Sequence, residues 1–397
     1  MKILIVCQHF DPEQFRINDI AYELYNRGHK VTVLTGLPNY PKGRVYGGYT
    51  WFKKRNETIN GVKVIRTFII GRGNNLFMMG MNYLSFALFG SIKALSMKDR
   101  FDVIYVYQLS PVTMVIPGII IKKLHKTPLI IHCLDQWPIS VTTGPIRENS
   151  LLYRFLFFLS RQVYISASII TVSSKSFTEY FTDILKITNI EIKYWPSYAE
   201  EIYSDIGNID NGMFDLLFAG NIGPAQSVET IIEAANFLKD QKKIMFHIVG
   251  DGLNKKQCES LAEEYKLDNI KFYGYYPVIE MKQFYEMADA FLVTMVNNEV
   301  VNQTLPAKIQ SYMLAGKPII GAVSGEVKQV IEESRSGVCC DSLDYKALAK
   351  NIVDFVKDVD GKCDLGKNGK EYYQINFSKV KLMDDLVVYL EDARKLK

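Results

Sequence analysis

The sequence predicts two doubly wound α/β domains joined by a short polar linker. Three observations carry that expectation. The chain has 397 residues, too many for one ordinary domain, and its apolar fraction of 48% is ample for two cores. In both halves, short β-branched runs alternate with stretches whose apolar residues recur at helical spacing. Between the halves, residues 198–211 are acidic, polar and short of large apolar side chains. The expected division is 1–199 and 200–378, with a last helix at about 379–397.

Composition narrows the function classes. The six cysteines show no metal-ligand spacing, and Cys7 and Cys133 fall in expected strands, which fits a reducing cytosol better than a disulfide framework. Met1-Lys2 runs directly into a strand, so no secretory leader is expected ahead of it. The net charge of +4 is uneven: residues 1–200 hold 24 basic and 13 acidic side chains, and residues 201–397 hold 23 and 30. A basic first half suits an anionic membrane surface, a lipid phosphate or nucleic acid. No helix-turn-helix, zinc pattern or arginine-rich arm accompanies the charge, so nucleic acid is set aside.

In the first half, residues 2–7 read as a strand, 17–27 as a helix ended by Gly28, and 31–35 as a second strand. The loop 8–16 has no glycine and the start lacks Gly-x-Gly-x-x-Gly, which argues against a nicotinamide dehydrogenase. Arg16 either meets a phosphate through two parallel N–H bonds or pairs with Glu13 or Asp19. Residues 37–43, with two prolines and Gly43, form a shaped loop, either lining a ligand face or making a rigid surface turn. Residues 76–94 are strongly apolar but barely reach spanning length. They form either a core helix or one with a greasy face in a bilayer interface, with Lys93, Lys98 and Arg100 nearby. Strands follow at 103–106 and 129–133, with a helix at 111–124 between them. Asp135, at a strand end, acts on or orients a hydroxyl, or else caps the turn. Trp137 is a stacking platform or packing, and His132 inside its strand is a functional group or buried structure. Residues 151–165 read as an aromatic-rich helix, 167–172 as a strand with a helix cap at 173–175, and 190–195 as the closing strand.

In the second half, a strand at 214–219 leads into Gly220-Asn221-Ile222-Gly223-Pro224-Ala225-Gln226 and a helix from Ser227. Glycines in that place allow backbone to approach a phosphate. A strand at 244–249 precedes Gly250-Asp251-Gly252, and one at 270–273 precedes Gly274-Tyr275-Tyr276-Pro277. Residues 281–288 form a helix and 291–295 a strand. Residues 297–303 then read as a loop, Thr304 caps the next helix through its hydroxyl, and Pro306 sits in its first turn. Gly316 closes that helix before a strand at 319–320. Late helices are expected at 346–356 and 377–396. Asp358-Val359-Asp360 spells an Asp-x-Asp, but it follows a surface helix far from any ligand loop and is rejected as a metal site.

The stretch 294–318 resembles the donor-sugar segment of the family 4 retaining glycosyltransferases, which have the GT-B fold of two such domains facing across a cleft. Aligned on Gly316 and Pro318, Gln303 and Ser311 stand where that family has two glutamates, at the donor sugar and the nucleotide ribose. The chain is most similar to the bacterial O-antigen and capsule branch, which includes N-acetyl-fucosamine transferases. The shared motifs are Pro12 to Asp19, Leu37 to Gly43, Asp135 to Pro138, Gly220 to Gln226, and Pro306, Lys308, Tyr312 with Ala315 to Pro318.

The resemblance implies transfer of an N-acetylated sugar from a UDP-sugar to a polyprenyl-linked saccharide, with retention and without a metal or other cofactor. It implies Asp135, Arg16 and Lys308 at the reacting centre. It puts Gly220, Asn221, Gly223, Gln226, Gly250, Asp251, Tyr275, Gln303, Thr304, Leu305 and Ser311 on the donor, and Glu13, Asn39, Tyr40 and Trp137 on the acceptor side. The expected location is the cytoplasmic leaflet of the cell membrane, held peripherally. A UDP-sugar 2-epimerase of the same fold and a non-catalytic nucleotide-sugar-binding subunit are the alternatives.

Overall fold

Alternating β-branched runs and amphipathic stretches close into two separate sheets in the computed structural model, which describes residues 1–73, 75–143, 146–358 and 364–396. The chain divides into unit 1, Met1–Trp195 with Met383–Lys397, and unit 2, Pro196–Leu382.

Unit 1 contains β1 (Lys2–Val6), α1 (Arg16–Asn26), β2 (Lys30–Gly36), β3 (Asn56–Ile59), β4 (Val62–Thr67), α2 (Leu76–Ser96) and β5 (Val103–Gln108). It continues through α3 (Ile116–His125), β6 (Leu129–Cys133), α4 (Leu151–Tyr164), β7 (Ile169–Val172), α5 (Phe177–Glu179) and β8 (Glu191–Tyr194). The sheet order is β3-β4-β2-β1-β5-β6-β7-β8, parallel except for the β3–β4 hairpin. The central strands are buried on both faces, as their unbroken apolar runs require. The order reverses between β1 and β5, which places the ligand crevice of such a sheet beyond the carboxyl ends of those strands.

One hairpin was missed and two local expectations need correction. The β3–β4 hairpin was not legible, because β3 is a half-exposed edge strand with no apolar run. The helix expected at 111–124 begins as a tight turn, Val112–Val115, before α3, whose Pro117 sits in the first turn where its missing N–H is harmless. After β7, residues 173–175 cap no full helix; α5 runs at once into a wide turn, Tyr180–Ile184.

The apolar helix has one face in the core and one at the surface. Asn75 caps α2 by accepting from the Met78 amide at 2.8 Å. Ser85, Phe86, Gly90 and Ala94 are buried, and a Cβ on Gly90 would lie 2.8 Å from Pro117, which shows how closely α2 meets α3. The opposite face exposes Phe77, Leu84, Leu88, Ile92 and Leu95. On α4, Leu151, Leu152, Phe155 and Phe158 are likewise exposed. No helix among the described residues is long and apolar enough to cross a membrane.

Unit 2 runs β9 (Phe214–Ala219), α6 (Val228–Phe237), β10 (Ile244–Val249), α7 (Lys255–Glu264), β11 (Ile270–Gly274), α8 (Lys282–Met287) and β12 (Ala290–Thr294). There follow α9 (Glu299–Asn302), α10 (Lys308–Ala315), β13 (Ile319–Ala322), α11 (Glu326–Ser334), β14 (Gly337–Cys340), α12 (Tyr345–Lys357), α13 (Asp364–Asn376) and α14 (Lys379–Lys395). Its sheet, β11-β10-β9-β12-β13-β14, is parallel throughout and reverses between β9 and β12. The division between units falls within α14, whose later part is tied to β8 by Lys193–Asp392 at 3.0 Å. Asp358 follows α12, while Val359 and Asp360 of the Asp-x-Asp lie outside the described residues.

Candidate functional site

The loops after β9 and β10 form one interlocked floor. Gly220 has φ +139° and Gly250 φ +153°, and a Cβ on Gly250 would lie 1.7 Å from the Gly220 carbonyl oxygen. The Gly220 amide donates to Val249 O at 2.9 Å and the Ile222 amide to Asp251 O at 2.9 Å. No side chain fits at Gly250, so the backbone itself faces the crevice. A cavity of about 360 Å³ opens there, at the reversal point of the sheet. Gly220, Asn221, Gly250, Asp251, Tyr275, Lys308 and Ser311 line it, seven of the residues expected around the donor and reacting centre.

Lys308 is the chemical focus of this cavity. It is the first residue of α10, and its buried Nζ has no hydrogen-bond partner among the described residues. Instead it lies 3.9 Å from the centroid of the Phe218 ring, beside Gly220. Burial pulls its pKa from 10.5 down to about 7. An ammonium held over an aromatic face with its acceptors missing is a site for an anion. Ser311 lies one turn along α10; its hydroxyl donates back to Ala307 O at 3.4 Å, and it faces the same cavity.

Aromatic side chains that the motifs did not mark build the walls. Tyr203 stacks on Tyr285 at 4.2 Å, and both line the cavity with Tyr276 and Met281. Tyr312 carries the order further: its hydroxyl accepts from the Ala219 amide at 2.9 Å, fixing the end of β9 against α10. Gly316 closes α10 with φ +71°, and Lys317 turns back to donate to Glu286 O at 2.9 Å. The Ala-Gly-Lys-Pro motif is therefore a brace behind the cavity.

Other expected donor residues stand outside the lining. Asn221 donates to the Gln226 side chain at 3.0 Å, around Gly223, so Gln226 and Gly223 shape the loop. Residues 297–303 are not all loop: Asn298 caps the one-turn helix α9. Thr304 does not cap α10. Its hydroxyl donates to Val300 O at 3.0 Å and closes α9 instead, because the chain turns three residues before α10 begins. Gln303 ends α9, Leu305 is buried, and neither lines the cavity.

In unit 1, Asp135 follows β6. Its carboxylate accepts from the Ser110 hydroxyl and, at 3.3 Å, from the Trp137 indole N–H. Burial raises its pKa above the usual 3.8 while those hydrogen bonds oppose the rise. Trp137 is only 8% exposed, and its N–H is engaged by Ser110 and Asp135, which makes it a support for that carboxylate. Glu13 is also a support. Buried at 1% exposure, it accepts from the amides of Asn39 at 2.8 Å and Tyr40 at 2.6 Å and bonds His9 at 3.0 Å. Asn39 is fully buried, while Tyr40 is exposed beside it. Arg16 opens α1 and acts electrostatically on Tyr107 of β5. His132 is core: it bonds Thr171 at 3.0 Å, packs edge-on against Trp195, and burial drives its pKa to about 3.

Comparison with known proteins agrees with this architecture. Residues 199–372 match the family model "Glycosyl transferases group 1", and residues 14–196 match "Glycosyl transferase 4-like domain". The chain is 24% identical over 377 residues to the putative colanic acid biosynthesis glycosyl transferase WcaI of Escherichia coli, covering 89% of this chain and 91% of that one. It is 25% identical over 321 residues to the probable glycosyltransferase WbjE of Pseudomonas aeruginosa, covering 77% and 78%. Among solved structures, sucrose-phosphate synthase of Thermosynechococcus elongatus superposes over 100% of both chains with TM-score 0.79 at 14% identity. HepE of Anabaena, solved with UDP, superposes over 99% of this chain and 100% of its own with TM-score 0.72 at 16% identity.

Proposed function

We propose that this chain, which has the GT-B fold and whose two halves each match a glycosyl transferase family model, moves an N-acetylated sugar from UDP to a polyprenyl-linked saccharide during synthesis of a bacterial surface polysaccharide. The observation that carries the donor half is Lys308, a buried amine without an acceptor beside a glycine floor. In this reading the UDP diphosphate supplies the missing acceptors, and Ser311 reaches the ribose. Tyr275, 68% exposed at the cavity edge, meets the base.

Asp135 orients the acceptor hydroxyl, held by Ser110 and Trp137. The leaving phosphate takes the proton of that hydroxyl as the new bond forms on the same face of the sugar, which retains configuration. Cationic side chains and helix N-termini carry the developing charge without a metal. The exposed apolar faces of α2 and α4 rest on the cytoplasmic leaflet, where a polyprenyl acceptor keeps its tail.

Calorimetry with UDP tests the donor half. A charge-assisted hydrogen bond is worth about 1.5–3 kcal/mol, so Lys308→Ala weakens UDP by about tenfold or more. Equal affinity in the variant removes Lys308 from the site. Release of the free 2-epimer from UDP-N-acetylhexosamine without any acceptor would indicate an epimerase instead.

A further inference from the structure

We infer that the loops after β2 and β4 form a phosphoryl-binding subsite on unit 1, with Arg72 as its principal ligand and Lys42 and Arg44 flanking it. The inference rests on the transferase reading and names a chemical group on its acceptor: the diphosphate ester that joins saccharide to lipid.

Arg72 is held but not neutralised. Its guanidinium lies 5.7 Å from the Tyr40 ring centroid and 5.9 Å from that of Tyr83. Among the described residues, the one hydrogen bond of its side chain is to Met79 Sδ, at 3.4 Å. Arg72 takes part in none of the ion pairs formed among the described residues. Its backbone is fixed from within: the Arg72 amide donates to Asn39 Oδ1 at 3.2 Å, and Asn82 donates to the same oxygen at 3.2 Å. Two flanking rings and an anchored backbone leave the N–H edges of a planar cation to be met by a ligand, and such an edge matches two phosphoryl oxygens.

The neighbouring loop adds charge of the same sign. The Gly73 amide donates to Gly43 O at 2.7 Å, and a Cβ on Gly71 would lie 2.8 Å from that oxygen and 3.2 Å from Arg44 Cα. The segment bearing Arg72 thus packs directly on Gly43 and Arg44. Residues 41–56 contain Lys42, Arg44, Lys53, Lys54 and Arg55 and no acidic residue. Lys42 and Arg44 line a cavity of about 550 Å³ there, with Lys42 over the Tyr46 ring at 4.9 Å. Like-charged side chains gathered in one loop repel one another, and a multiply charged anion offsets that cost. Burial raises the pKa of the Tyr83 hydroxyl, Arg72 lowers it and Asp135 raises it again, so the subsite and the carboxylate of the transfer reaction act on one side chain.

The test uses geranyl diphosphate, a soluble prenyl diphosphate, titrated into protein already saturated with UDP so that the donor cavity is filled. Geraniol is the uncharged comparator. The wild type should bind the diphosphate at least tenfold more tightly than geraniol. Arg72→Ala should lose at least tenfold, Arg72→Lys should recover part of it, and Lys42→Ala with Arg44→Ala should lose affinity too, all with unchanged melting temperature and UDP affinity. Equal binding of geraniol and geranyl diphosphate, or no loss in Arg72→Ala, overturns the subsite. A third arm separates the source of the phosphoryl group. If Arg72→Ala releases the protein from phosphatidylglycerol vesicles yet keeps its affinity for geranyl diphosphate, Arg72 reads bilayer headgroups and the acceptor assignment is overturned. Failure of the donor reading shows separately, as a wild type that does not bind UDP.

Discussion

UDP binding should place a proton on Lys308, and its affinity should fall steeply above neutral pH. In the free protein, burial lowers the ammonium from 10.5 to about 7, so the charged form is disfavoured by about 5 kcal/mol. A diphosphate that supplies the absent acceptors reverses this and returns the pKa toward its ordinary range. Affinity then follows the protonated fraction of the free protein, roughly one half at pH 7 and roughly one hundredth at pH 9, a fall of about fiftyfold. Calorimetry at pH 8 in two buffers of different ionisation enthalpy should report uptake of about one proton per UDP. Lys308→Met should bind weakly with a flat profile over the same range. The reasoning is refuted if wild-type affinity is constant from pH 7 to 9, or if the binding enthalpy is the same in both buffers.

The same shift has the opposite sign for stability. Between pH 7 and 10.5 the unfolded chain holds more protons at this lysine than the folded chain, so this group makes the ligand-free protein more stable as pH rises through that window. Below pH 7, Lys308→Met should therefore exceed the wild type in stability, by at most about 5 kcal/mol, with the gap closing toward pH 10.5.

Further outcomes follow from the other features. Gly250→Ala forces a side chain onto the Gly220 carbonyl at a positive φ and should cost about 2 kcal/mol or more in urea denaturation; an unchanged midpoint would contradict the interlocked floor. Asp135→Asn should lower turnover by about 10²-fold or more while UDP affinity stays, as separate kinetic and calorimetric measurements would show. Turnover should survive EDTA, and its loss with recovery on Mn²⁺ or Mg²⁺ would reintroduce a metal. Changing Lys93, Lys98 and Arg100 to Glu should weaken sedimentation with anionic vesicles at low salt, since each basic residue contributes about 1 kcal/mol near such a surface. Binding that ignores both charge and salt would leave hydrophobic insertion alone.

The sheet cores were legible because a strand buried on both faces reads as an unbroken apolar run, as β1, β5 and β6 do. Gly316 was legible as a helix end for the same local reason. Features that depend on distant partners were not. Tyr203 and Tyr285 meet only in the folded unit, and nothing near either residue in sequence announces a cavity wall. Thr304 has the chemistry of an N-cap, but the close of α9 takes its hydroxyl first. Glu13 and Asn39 were found as marked positions on unit 1, yet sequence could not say that their polar atoms bind neighbouring loops. Motif spacing located Lys308 but could not reveal that its amine lacks an acceptor. Arg72 carried no signal beyond its charge, because its setting is made by Asn39, Tyr40 and Tyr83.

The glycine floor also says where the enzyme could be re-engineered. With Gly220 and Gly250 packed backbone on backbone, a library that varies Gly250 would be emptied by misfolding before any selection for a new donor began. Diversity belongs on the walls. Asn221 and Tyr275 are exposed at the cavity, and replacing them gives up the Asn221 bond to the Gln226 side chain but leaves the strand ends and the backbone contacts of the floor in place. A screen for altered nucleotide or sugar preference would begin with that pair, leaving the floor as fixed scaffold.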